Sequence, residues 1–151
     1  MLRMMERELT LRIILEAPPA GVDFGLQEGR GNDYKTVQTQ RSKTGDLIFT
    51  FTVRAKPGAN GAPTFLGPFT QGPPHERFVY IDIGTCAGQT GTMWSRRLKV
   101  PLRGIPWDLV EQVSDSLRIL ETRVPGTGRD GGPNCATVKP FSGWSLSKGA
   151  A

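Results

Sequence analysis

Eight residues constrain the fold of this chain more than any others. From Leu47 to Arg54 the sequence alternates, with Leu47, Phe49, Phe51 and Val53 against Ile48, Thr50, Thr52 and Arg54. A period of two belongs to an extended strand with one buried face, whereas a helix would return its apolar residues every 3.6 positions. The run therefore predicts a core strand, and its β-branched and aromatic content agrees. Three other stretches show the same alternation. Leu9, Leu11, Ile13 and Leu15 form one row, Val22, Phe24 and Leu26 a second, and Leu98, Val100 and Leu102 a third, the last opposed by Arg97, Lys99 and Arg103. Arg77 to Gly84 is apolar on both sides, as expected of a strand buried in the middle of the fold.

Turn chemistry separates these runs. Pro18-Pro19-Ala20-Gly21 ends the first, because proline donates no ladder hydrogen bond and restrains the residue before it. Lys43-Thr44-Gly45-Asp46 lies between the Tyr34 to Ser42 run, read as a more exposed strand, and the core strand, which predicts a hairpin. Lys56 to Pro74 reads as a long loop pinned by Phe65, Leu66 and Phe69. Pro101 marks an edge or an end for the strand that contains it.

The period changes once. After Pro106, the residues Trp107, Val110, Val113, Leu117 and Leu120 recur at three- and four-residue spacing, which predicts an amphipathic helix over 106–120. The resulting expectation is a mainly β protein: an antiparallel β-sandwich or partly open barrel of six to eight strands with one helix, an α+β sheet being the alternative. One domain is expected over 1–124. A Gly-rich tail follows over 125–151, with Val138, Phe141 and Trp144 as its possible anchors.

Charge and cysteine usage exclude several classes. The net charge is +5, but Lys and Arg outnumber Asp and Glu by nine to seven over residues 1–60, four to two over 61–100 and six to five beyond. An excess so evenly spread makes no basic stripe, which argues against a nucleic-acid partner. Cys86 and Cys135 lack the paired spacing of a zinc site and are too few for a disulfide framework, so two free thiols in a reducing compartment are expected. Arg3, Glu6, Arg7, Glu8 and Arg12 interrupt the first fifteen residues, unlike a signal peptide, and no run is long enough for a membrane span. The expected compartment is the cytoplasm.

Several runs taken together resemble an uncharacterised bacterial domain-of-unknown-function family. They are Pro18-Pro19-Ala20-Gly21-Val22-Asp23-Phe24-Gly25-Leu26-Gln27, Gln71-Gly72-Pro73-Pro74, Arg77-Phe78-Val79-Tyr80-Ile81-Asp82-Ile83-Gly84 and Trp94-Ser95-Arg96-Arg97. The resemblance runs from about Glu8 to the end of the expected helix, and departure is expected beyond Val124. It implies a stand-alone bacterial protein. It assigns no activity and no catalytic residue.

Candidate chemistry has to come from single residues. Cys86 follows the central strand in a Gly-flanked loop and His75 is the lone histidine, so a Cys-His pair would need them within hydrogen-bond reach. One histidine cannot build a multi-His metal site, and no metal or other cofactor is expected. Gly84 to Gly91 lacks both the Gly-Lys-Ser/Thr and the following helix of a phosphate-binding loop. Asp82 sits on the Phe78 and Tyr80 face of the most apolar strand, where a carboxylate must be paired; Arg96 is the expected partner. Tyr34, Trp94, Arg96 and Arg97 combine aromatic and guanidinium groups, as binding surfaces do. The expectation is a non-enzymatic module binding an anionic small molecule or a protein partner at those four residues. The alternative is a small-molecule enzyme using Cys86 or Asp82, recognisable by a pocket on which they and His75 converge.

Overall fold

The computed structural model describes residues 6–18, 20–30, 33–58, 61–86, 92–114, 118–125, 136–137 and 143–148. Among them, ten strands and one helix follow in the order β1 (Arg7–Glu16), β2 (Val22–Arg30), β3 (Asp33–Arg41), β4 (Leu47–Pro57), β5 (Pro63–Leu66), β6 (Phe78–Cys86), β7 (Thr92–Pro101), α1 (Trp107–Ser114), β8 (Arg118–Pro125), β9 (Ala136–Thr137) and β10 (Ser145–Lys148). They form two five-stranded sheets, β10-β8-β1-β4-β5 and β3-β2-β6-β7-β9. The chain crosses repeatedly between the sheets, and both contribute to one core.

The alternating runs account for that core. Leu9, Leu11, Ile13 and Leu15 of β1 and Phe49, Phe51, Val53 and Ala55 of β4 are buried, while Thr50, Thr52 and Arg54 face outward. From the second sheet come Phe24, Leu26, Val79, Ile81, Ile83, Leu98 and Val100. Each fully buried side chain of this size contributes roughly 1.5–3 kcal/mol of transfer free energy. Register makes the alternation binding, since a slip of one residue would turn a whole row into water.

Most pairings are antiparallel, but β1 with β8 and β7 with β9 are parallel. The first of these corrects the expected helix. α1 ends at Ser114, and Arg118–Pro125 is a strand whose register sets Leu120 beside Leu11 and Val124 beside Leu15. The i, i+3 spacing of Leu117 and Leu120 imitates a helix, yet Leu120, Thr122 and Val124 also alternate. Pairing with β1 satisfies the backbone of both strands and buries that row. α1 itself inserts Val110 and Val113 into the core, with Trp107 half-buried against it.

Two further segments hold structure of their own. Within the predicted 56–74 loop, β5 pairs with Arg54–Pro57, buries Phe65 and leads to Phe69, whose ring lies 5.4 Å from that of Phe51. Within the expected tail, β10 pairs with β8, Trp144 donates its indole N–H to Pro101 O at 2.9 Å, and Thr122 donates its hydroxyl to Gly143 O at 2.7 Å. Val138 and Phe141 lie outside the described residues.

Among the described residues the two sheets do not close into a barrel. Where β5 ends, the Leu47–Val53 edge of β4 is served instead by side chains of β3. Gln38 donates to Thr50 O at 3.1 Å and Gln40 to Ile48 O at 2.8 Å. Gln38 occupies the left-handed region (φ 52°) where the β2–β3 register shifts between Phe24 and Leu26, so a bulge aims this side chain.

Candidate functional site

The outward face of the second sheet carries the polar residues. On the face opposite the buried row of β6, Asp82 follows half-buried Phe78 and Tyr80 in one row, and its side chain is only 4% exposed. Three donors from three strands converge on its carboxylate. Arg97 Nε of β7 lies 3.1 Å from Oδ1, Thr36 Oγ1 of β3 2.8 Å from Oδ2, and Gln27 Nε2 of β2 3.3 Å from Oδ2 and 3.5 Å from Oδ1. Gly25 stands directly opposite Asp82 and has no side chain, which lets the carboxylate reach over β2 to Thr36. Both oxygens are thus occupied.

Among the described residues the ion-pair partner of Asp82 is Arg97, where Arg96 was expected. Register decides this, because Asp82 and Arg97 are direct cross-strand neighbours while Arg96 stands opposite Ile83. A second buried carboxylate, Asp23, lies nearer the other end of the same face and accepts from Arg41 Nε at 2.9 Å. Charged hydrogen bonds satisfy both acids, as buried carboxylates require.

Around the carboxylates the face is rich in cations and rings. The Arg97 guanidinium lies 4.8 Å from the Tyr80 ring centre and the Lys99 ammonium 4.4 Å from that of Phe78, and the two rings meet edge to face at 4.7 Å. Each cation–ring contact is worth about 0.5–1 kcal/mol at such exposure. Lys99 has no ion-pair partner among the described residues. Tyr34, 59% exposed, stands at the rim on β3, opposite Gly29. A Cβ on Gly29 would come within 2.8 Å of the Tyr34 ring and 2.9 Å of Gln71 Nε2, so only glycine admits both groups over β2.

Gln71 reaches this place from a loop. Its backbone bridges to Phe78, donating at 2.8 Å and accepting at 3.0 Å, and Gly29 N donates to Pro68 O close by. Its amide nitrogen is buried and has no hydrogen-bond partner among the described residues. Such an unmet donor costs about 1–3 kcal/mol. The face therefore combines two hydrogen-bonded carboxylates with one unmet donor, at Gln71, and one cation, Lys99, without an ion-pair partner among the described residues.

The other candidates do not converge here. His75 is exposed, with Glu76 at 3.9 Å, and precedes the start of β6. Cys86 ends that strand, roughly 26 Å away at ~3.3 Å per residue. Between them lies the length of the sheet, so they form no Cys-His pair. Arg96 and Trp94 lie on β7, and their side chains, like that of Cys86, are outside the described residues. Among the described residues, no three His, Cys, Asp or Glu cluster to hold a metal, and no helix is long and apolar enough to cross a membrane. Sequence reasoning missed Gln27, Thr36, Gly29, Gln71 and Lys99 as members of this face. Gln27 could have been found as the polar position alternating with Phe24 and Leu26, but nothing local marks Gln71.

A family model matches residues 9–147, nearly the whole described fold. The chain belongs to the DUF5990 family, a family of unknown function. Membership runs past Val124 and takes in β8's end, β9 and most of β10, so the expected departure beyond the helix does not occur. Comparison with curated proteins and with solved structures gave no match.

Proposed function

We propose that this protein is a non-enzymatic binding module whose outward β3-β2-β6-β7 face takes an anionic, acceptor-rich ligand. The carrying observation is the buried Gln71 amide nitrogen without an acceptor, beside Tyr34 and on a face whose carboxylates are already spent. A ligand oxygen at Gln71 would remove the cost of that donor, and Lys99, which has no ion-pair partner among the described residues, would supply the countercharge. Asp82 holds Arg97 in place and both of its oxygens accept hydrogen bonds from the protein, which weighs against the enzymatic alternative. His75 stands before the start of β6 and Cys86 at its end, which weighs against a shared pocket with Asp82. A face of this shape suits an anion presented by a small molecule or by an acidic segment of a protein partner. We retain the bacterial cytoplasm as the setting, supported by the family resemblance and by cysteines without paired spacing.

The test is a thermal-shift comparison of pyrophosphate, citrate and hexaglutamate with uncharged sugars and amides. A ligand at a hundred times its Kd adds about 2.7 kcal/mol, or roughly 5–10 °C for a chain of this size. The reading expects an anion-specific rise that Lys99→Gln and Gln71→Met abolish, and the most effective anion identifies the source. If no anion raises the melting temperature, or both variants respond like the parent, the reading fails.

A further inference from the structure

A second cationic concavity lies away from that face, at the end of the fold where β5, the 72–77 turn and the segment after β7 meet. It is a groove of about 120 Å³, or about four water volumes. Phe65, Leu102 and Ile105, each 3% exposed, belong to its lining, as do His75, Arg77 and Arg103. Its lining thus combines apolar and cationic side chains.

Arg77 makes this more than a surface dent. The side chain is half-buried, its Nε donates to Phe65 O at 2.9 Å, and one Nη donates to Gly72 O. Both acceptors are neutral carbonyls, and Arg77 has no carboxylate partner among the described residues. A half-buried guanidinium held only by carbonyls keeps its full charge at the groove wall, where desolvation makes a counter-ion more valuable than in water. Arg103 adds a second cation to the lining and likewise lacks an ion-pair partner among the described residues. The Glu76 carboxylate is 75% exposed and nearest to His75 at 3.9 Å, so it does not neutralise Arg77.

We propose that this groove is a binding site for a small organic carboxylate, with the carboxylate at Arg77 and Arg103 and a short apolar body against Phe65, Leu102 and Ile105. The volume admits a carboxylate with roughly a two- or three-carbon body. The apolar lining of Phe65, Leu102 and Ile105 separates this site from the Gln71 face.

The experiment is a titration of the full chain with propionate, propionamide and inorganic phosphate, followed by amide proton–nitrogen correlation spectra. Propionate is expected to shift amides of residues 62–65, 74–77 and 102–105 saturably, while propionamide, the same shape without charge, leaves them in place. Arg103→Gln should weaken propionate at least tenfold by removing a charged donor, and Lys99→Gln should leave it unchanged. Equal response to propionamide refutes a charge-selective site, and equal response to phosphate refutes the apolar body. No saturable shift, or binding that survives Arg103→Gln but not Lys99→Gln, overturns the assignment.

Discussion

Replacing Asp82 by asparagine turns one of two acceptor oxygens into a donor that faces donors. Either Arg97 Nε at 3.1 Å or the Thr36 and Gln27 pair at 2.8 and 3.3 Å then loses its acceptor. The losses are unequal. Arg97 is 40% exposed and can turn to water, whereas Gln27 is 3% exposed and cannot. A charged hydrogen bond contributes about 1.5–3 kcal/mol, and an unmet buried donor costs about 1–3. Allowing for the exposure of Arg97, Asp82→Asn should cost about 2 kcal/mol, a melting temperature lower by roughly 4–8 °C. Arg97→Gln should cost somewhat less, since water can approach the carboxylate from the vacated side. In the double variant the second loss is largely already incurred, so the cycle should show a coupling of about 1–2 kcal/mol. Urea titrations of all four proteins at constant m measure it. Additivity within about 0.3 kcal/mol would refute the claim that Asp82 and Arg97 act as one unit.

Other outcomes follow from the packing. Leu120→Ala, between β1 and β10 at 0% exposure, should cost about 2–5 kcal/mol, whereas a helical assignment of Leu120 near a frayed end would allow a loss under about 1 kcal/mol in the same urea titration. Trp144→Phe removes the 2.9 Å bond to Pro101 O and should cost about 1 kcal/mol; a neutral result would show that this segment does not dock. Replacing Gln38 and Gln40 together by threonine uncovers the Ile48 and Thr50 carbonyls, and light scattering should then show concentration-dependent self-association that the parent lacks.

Legibility followed the range of the physics. The alternating rows of β1, β4 and β7 are local, so Leu9 to Leu15, Phe49 to Val53 and Leu98 to Val100 could be placed inside from the sequence. The end of α1 could not, because Leu117 and Leu120 satisfy helical spacing and strand alternation alike, and only the distant partner β1 decides between them. The same holds for the site. That Asp82 needs a partner follows from its apolar strand, but choosing Arg97 over Arg96 needs the β6–β7 register, which a bulge between Ile83 and Gly84 shifts. Tyr34 and Arg97 do share one face. Gln71 reaches it through an isolated bridge from a Gly- and Pro-rich loop, a contact with no sequence periodicity.

The central claim is that the Gln71 amide is held over Gly29 at a cost to the unliganded protein. The unfolding free energy of Gln71→Met in ligand-free buffer tests it most directly, because methionine keeps the length and volume while removing the orphan donor. The account predicts a variant as stable as the parent or more stable by up to about 1 kcal/mol, since a buried unmet polar group is lost. A loss of more than about 1 kcal/mol would contradict it, showing that the amide already has a structural partner and that the face is not waiting for a ligand.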